Sequence, residues 1–336
     1  MPIEFFWQAP TSGDGRYGNA TVRRRGERSP KDGPPFTSGV SDPRGARFDY
    51  FDHLHQIARA AELSRFDGIR IPHDADGDES WIVAGYVARA ARRLKVLAEF
   101  EASRGSAVYA AKNATSYQRF SGGRFAWQVS PGGDAYARRK AGDFVDAAAV
   151  FPRIEELVAV ARGVWGGSPF NYKGQFFDVQ NGGFQGPLAN QPAPEVFLSG
   201  DTREAWRLSA RVADVHVFDA APTDRLRAAA GELAELASQE GRSVRVALRI
   251  DVVARETDEE ATFDAERFRQ QSGRLPDASL VGSYASVVER LGEYIDAGVT
   301  TFLLAGVPHL EEAYRVGEHV LPTLRANIAA GTRRVA

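Results

Sequence analysis

The chain has 336 residues, 43% of them hydrophobic, a net charge of −2 and no cysteine. This excludes a disulfide framework, a thiolate metal site and a cysteine nucleophile, and the near-neutral charge gives no reason to expect nucleic acid or an anionic membrane as partner. No basic-then-apolar leader precedes the first strand-like run and no apolar run nears membrane-spanning length, so a soluble, cytoplasmic protein is expected.

Taken in order, residues 3–9 read as a first strand and 48–64 as a helix with Phe51, Leu54, Ala58 and Ala61 on one face. Strands are predicted at 66–72, 94–101 and 125–130, with helices at 79–91, 107–120 and 145–165 between and after them. A short strand at 195–198 leads into a helix at 202–211, and 213–218 into one at 224–238. The run RVALRIDVVA at 245–254 is a seventh strand, followed by helices at 258–271 and 284–297. The eighth unit is the clearest. Residues 300–304 are β-branched and apolar, Gly306 and Pro308 end the strand, and Glu311 and Glu312 favour the positive end of the next helix dipole. Leu310, Ala313, Tyr314, Gly317, Leu321 and Leu324 then recur at helical spacing.

Eight strands alternating with helices predict an α/β fold, a closed (β/α)8 TIM barrel, with the doubly wound open sheet as the alternative. One barrel domain is expected over residues 1–330, with a tail at 331–336 and loop excursions at 10–47, 166–194 and 268–282. The middle excursion contains a hairpin-like FNYKGQFFDV with Gly174 at its bend. The other two leave on the strand-to-helix side, where such barrels keep their active sites.

Alternation along the seventh strand places Arg245, Ala247, Arg249, Asp251 and Val253 on one face, and the apolar remainder toward the helices. Arg249 and Asp251 would then point into the barrel with stems about 6–7 Å apart. They form either a ligand site or a self-neutralising pair. Leu97, Glu99 and Glu101 share a face of the third strand, and Glu101, if inward, lies near the mouth and could neutralise Arg249. The turn FLSGDTREA puts Ser199, Gly200, Asp201 and Thr202 at a helix start, where free N–H groups suit a phosphate. Asp201 suits it less, and the same residues read as a capping box closed by Glu204. VSPGGDA offers Ser130, Gly132 and Gly133 as a structural turn or a binding edge.

His73 ends the second strand as a candidate base within the acidic HDADGDES, which lacks the closing glutamate of a calcium loop. Trp7, Trp81 and Trp127 lie on or near strand ends, where core packing is the commoner role. Trp7 still joins Glu101 and His309 as substrate-side candidates. Neither a metal-ligand cluster, a phosphate-binding P-loop nor a catalytic triad is read from the sequence.

The motifs FWQAPTSGDGRY, DGIRIP with ESW, QRFSGGR, FLSGDT, LRIDVVARET and GVPHLEEAYRVGEHVLP together resemble the bacterial-luciferase-like flavin monooxygenases, most closely their alkanesulfonate monooxygenase branch. The resemblance spans nearly the whole chain and implies a (β/α) barrel. It implies a two-component enzyme in which a separate NAD(P)H:flavin reductase supplies reduced FMN, and flavin and O2 together oxidise a small organic substrate, often an organosulfur compound. It implies FMN phosphate at Ser199, Gly200, Asp201 and Thr202, the flavin ring beside Ser103, Gln128 and Gly132, and Arg249 as an active-site arginine. Asp251 or His73 would move protons. Asp251 and Glu101 stand where the alkanesulfonate enzymes carry histidine and arginine, and Val307 and Gly77 replace a tyrosine and a cysteine. A sulfonate loses its positive partners by those exchanges, so a neutral or cationic substrate suits the pocket better. A homodimer or higher homo-oligomer is expected. A deazaflavin-dependent oxidoreductase and a catalytically inactive flavin-binding relative are the alternatives.

Overall fold

The computed structural model describes residues 2–11, 50–103, 105–272 and 279–335. The chain opens with β1 (Glu4–Gln8), α1 (Tyr50–Leu63), β2 (Gly68–Ile71) and α2 (Ser80–Ala90). It continues through β3 (Lys95–Glu101), α3 (Ala107–Ser121), β4 (Phe125–Ser130), a short α4 (Ala135–Lys140) and α5 (Val150–Gly166). A two-stranded antiparallel hairpin follows, β5 (Phe170–Lys173) and β6 (Asp178–Gly182). Then come β7 (Glu195–Ser199), α6 (Arg203–Val212), β8 (Val215–Asp219), α7 (Thr223–Gln239) and β9 (Arg245–Arg255). The last third holds α8 (Asp258–Ser272), β10 (Leu280–Ser283), α9 (Tyr284–Asp296), β11 (Val299–Ala305), α10 (His309–His319) and α11 (Leu321–Val335).

Eight parallel strands run β1-β2-β3-β4-β7-β8-β9-β11 and close, because β11 pairs with β1 and β8 with β9. The alternation of strand and helix therefore makes a closed (β/α)8 barrel and not the open sheet. β10 is an addition. It pairs in parallel with the part of β9 that rises above the barrel, Leu280 opposite Val252 and Ser283 opposite Arg255. The expected 268–282 loop is corrected accordingly: α8 runs to Ser272 and a strand begins at Leu280, while 273–278 lie outside the described residues. Most of the 10–47 excursion lies outside them as well. The single apolar helix expected after β11 is split at Val320, because Pro322 has no N–H to continue the ladder.

Strand pleating sorts the side chains into two cores. Outward residues meet the helices in one large apolar cluster. Inward ones form a small second cluster of Phe6, Leu97, Ala126, Phe197, Val215, Val217, Ala247 and Leu303. Below it, Glu4, Lys95, Glu195 and Arg245 come from alternate strands of the ring. Lys95 Nζ lies 2.8 Å from Glu4 and 2.9 Å from Glu195, and Arg245 contacts the same two carboxylates. This ion ring shuts the N-terminal end. Ligand access is left to the opposite end, where inward residues become polar.

Gly68 is required by the width of the barrel. A Cβ there would fall 2.2 Å from Phe6 Cε1. We expect Gly68→Ala to lose roughly 1–3 kcal/mol in thermal or urea unfolding, with Phe6→Leu in the same chain recovering part of it.

Candidate active site

The polar end of the barrel begins at Arg70, which is 2% exposed despite its charge. Its guanidinium donates to Gln8, to Glu99 and, at 3.1 Å, to Gln128 Oε1. Above this layer a cavity of about 510 Å³ opens, lined among others by His73, Asp219, Arg249 and Asp251. Arg249 Nε donates to Asp219 Oδ1 at 2.7 Å, and the two residues are direct neighbours in the β8–β9 register. Thus Arg249 pairs with Asp219 and not with Asp251, and the self-neutralising pair within one strand is not formed.

Asp251 makes no ion pair or hydrogen bond among the described residues. Burial raises the pKa of its carboxyl, an effect opposed by the charges of His309, Arg249 and Arg70. On the neighbouring wall, Glu101 does face inward, but it sits against His73 and not Arg249. His73 Nε2 is 3.3 Å from Glu101 Oε1, and Ser103 Oγ donates to Glu101 Oε2 at 3.3 Å. The mouth therefore gathers Glu99, Glu101, Asp219 and Asp251 against the two arginines, Arg70 and Arg249, with His73 beside them. Among the described residues the balance leans negative.

The turn after β7 opens at the same end. Gly200 has φ +141°, and a Cβ on it would fall 2.7 Å from that of Ala205, so only glycine fits. Thr202 is the N-cap of α6, its Oγ1 accepting from the Ala205 N–H at 3.2 Å. That corrects the capping box: Asp201 is not the cap but leans toward Asp219. Burial, then the Asp219 charge, raises the Asp201 pKa, which favours its neutral form. Through Asp219 the turn is linked to Arg249.

Behind the turn lies His216, fully buried on the outer face of β8 and not foreseen from sequence. Its Nε2 is 3.1 Å from the Gly200 carbonyl and its Nδ1 is 2.7 Å from Ser209 Oγ. A carbonyl can only accept, so Nε2 carries the proton and Nδ1 accepts from the serine. Burial lowers the His216 pKa to about 4. The unfolded chain, with the ordinary value near 6.5, takes up the proton first. The stabilising contribution is therefore whole above about pH 6.5 and is lost as pH falls toward 4, a loss of up to roughly 3 kcal/mol. Urea unfolding at pH 7 and at pH 4.5 should show this slope in the wild type and a shallower one in His216→Phe.

Of the residues expected at the site, Arg249, Asp251, His73, Glu101 and Ser103 converge at the mouth, and the Ser199–Thr202 turn at the same end of the barrel joins them through Asp201 and Asp219. Gly132, at φ +83°, approaches Glu101 so closely that a Cβ would lie 3.2 Å from Oε1. Gln128 lies deeper, fully buried, with Nε2 lacking a partner among the described residues. His309 is 7% exposed and close enough to Asp251 to act on its charge. Trp7 is not brought to the mouth. It is fully buried on the outer face of β1, packs on Phe66, and donates Nε1–H to the His309 carbonyl at 2.9 Å. A substrate-side role for Trp7 does not fit that position. Sequence reading missed Arg70 and Asp219, although the alternation of Gly68 and Arg70 in a short apolar strand was the signal for the first.

The model of the family described as luciferase-like monooxygenase matches residues 31–278. The chain belongs to the luciferase-like monooxygenase family. By family it is a flavin-dependent monooxygenase. Solved structures with the same fold include a riboflavin lyase with modified FMN and its substrate riboflavin, at 16% identity and TM-score 0.77, covering 97% of this chain and 92% of that one. The EDTA monooxygenase of a Chelativorans species has 16% identity and TM-score 0.75 over 97% of this chain and 94% of its own. A coenzyme F420-dependent tetrahydromethanopterin reductase from Methanopyrus kandleri has 17% identity and TM-score 0.69 over 82% of this chain and 96% of its own. The luciferase-like mouth here fits a flavin by its own chemistry. Gln128 Nε2 is a buried donor lacking a protein partner among the described residues, and a flavin ring oxygen or nitrogen could accept from it. Among the described residues no helix is long and apolar enough to cross a membrane.

Proposed function

We propose that this chain is the oxygenase component of a two-component system, using reduced FMN from a separate NAD(P)H:flavin reductase to oxidise a small neutral or cationic organic substrate with O2. The observation that carries the reading is the meeting, at one barrel mouth, of the Ser199–Thr202 turn with Arg249 and Asp251. Reduced FMN, when bound, supplies the electrons and the activation of oxygen.

The protein's own residues do the rest. Ser199, Gly200 and Thr202 hold the phosphate, and burial with the Asp219 charge raises the pKa of Asp201 beside it. Ser103, Gln128 and Gly132 border the ring. Arg249, steadied by Asp219, orients the reacting partners. Asp251 or His73 holds the proton that the chemistry moves. Asp251 carries a raised pKa in a half-buried site. The plugged lower end keeps bulk water from entering behind the flavin.

Glu101 and Asp251 make a sulfonate a poor ligand, since among the described residues the mouth carries more carboxylates than arginines. Oxygen consumption with a flavin reductase and a panel of thioethers, amines and alkanesulfonates tests this. Substrate-dependent uptake with thioethers or amines, and little with sulfonates, is expected. Sulfonates as the best substrates would contradict it.

A further inference from the structure

We propose that His216, together with Trp206, is a positioning residue for the flavin phosphate: it holds the Gly200 carbonyl outward and so aims the next peptide N–H into the barrel mouth. The inference rests on the phosphate reading of the Ser199–Thr202 turn.

The geometry is as follows. The Gly200 carbonyl accepts two hydrogen bonds, from His216 Nε2–H at 3.1 Å and from Trp206 Nε1–H at 3.2 Å. Val215 and Val217 point into the barrel, so His216 between them points out, toward the helices. The Gly200 carbonyl is thus drawn away from the barrel axis. A trans peptide is planar, with its C=O and N–H antiparallel. The N–H of the same peptide, that of Asp201, must then face the axis, where it takes no acceptor among the described residues. The φ of +141° at Gly200 is what lets the chain turn this peptide over.

His216 suits the task because it is locked from behind. Ser209 Oγ, fully buried on α6, donates to Nδ1 and so fixes the proton on Nε2. Phe218 packs edge-on against the ring at 4.4 Å and sets its plane. A histidine present only to fill the core would have no need of its Nε2 proton. Here that proton bonds the Gly200–Asp201 peptide of the turn.

Anaerobic titration with reduced FMN and with reduced riboflavin, which lacks the phosphate, tests this on wild type, His216→Phe, His216→Gln and Trp206→Phe. The wild type should prefer FMN. His216→Phe keeps the shape but has no donor, and should weaken FMN binding about tenfold while riboflavin changes less than about twofold. His216→Gln restores an N–H at the same reach and should stay within about threefold of wild type for both ligands. Trp206→Phe, should the histidine variant fail to fold, should shift the same ratio in the same direction. An unchanged FMN-to-riboflavin ratio in both donor-less variants overturns the positioning role and leaves the phosphate site standing. A wild type that does not distinguish FMN from riboflavin overturns the phosphate site, and the positioning role with it.

Discussion

Replacing Arg70 with methionine should lower the unfolding free energy by roughly 3–5 kcal/mol, the largest single effect expected in this protein. The reason is what stays behind. Arg70 is 2% exposed and donates to Gln8, Glu99 and Gln128. Methionine fills the volume but leaves the Glu99 carboxylate, 7% exposed, without its cation in the barrel interior. An uncompensated buried charge costs more than the pair contributes. The double variant Arg70→Met with Glu99→Leu removes both charges and should recover most of the loss. Chemical denaturation of the two variants checks this. If the double variant is no more stable than the single one, the loss arises from packing and not from charge.

The second large effect is expected at the far end of β9. Glu312 is 1% exposed at the start of α10, where Arg255 Nη1 donates to one of its oxygens at 2.9 Å and Arg315 to the other. Asp264 of α8 holds Arg255 from the other side at 2.6 Å. Burial raises the Glu312 pKa, and the two arginines oppose it. Glu312→Ala leaves Arg255 buried with Asp264 as its remaining carboxylate. We expect a loss of roughly 3 kcal/mol. Three elements, β9, α8 and α10, meet in this network, so the loss should be local as well as global. Amide exchange at Val252–Arg255, where β10 joins, should rise more than exchange in β3 or β4. Uniform loss of protection would argue against a local network.

Period-two alternation made the barrel and much of its mouth legible. It assigned Arg249 and Asp251 to the inner face of β9 without any knowledge of neighbours, and it grouped Glu101 with Leu97 and Glu99 on one face of β3 while leaving open whether that face is the inner one. What alternation does not carry is register between strands. Arg249 meets Asp219 because the two are opposite each other on β8 and β9, and a strand read as ending at residue 218 omits that partner. Arg70 shares the inward face with Gly68, and that alternation marks it, but the partners that make a buried arginine tolerable there, Gln8, Glu99 and Gln128, lie on three other strands. Glu312 was read as a first-turn acid favoured by the helix dipole, the ordinary surface role. Its burial depends on β9 continuing past the barrel to present Arg255. β10 was read as loop because LVGS is short and contains glycine, and it is a strand through pairing with that same extension. His216 lies in an apolar run whose outward positions all look like core, and its significance appears only when the Gly200 carbonyl is placed.

Anaerobic equilibrium titration of the purified chain with reduced FMN, oxidised FMN and a reduced deazaflavin tests the central claim most directly, that this mouth holds a reduced flavin with its phosphate on the Ser199–Thr202 turn. Reduced FMN should bind at least about tenfold more tightly than either of the others. Tighter binding of the deazaflavin, or no saturable binding of any of the three, would contradict it.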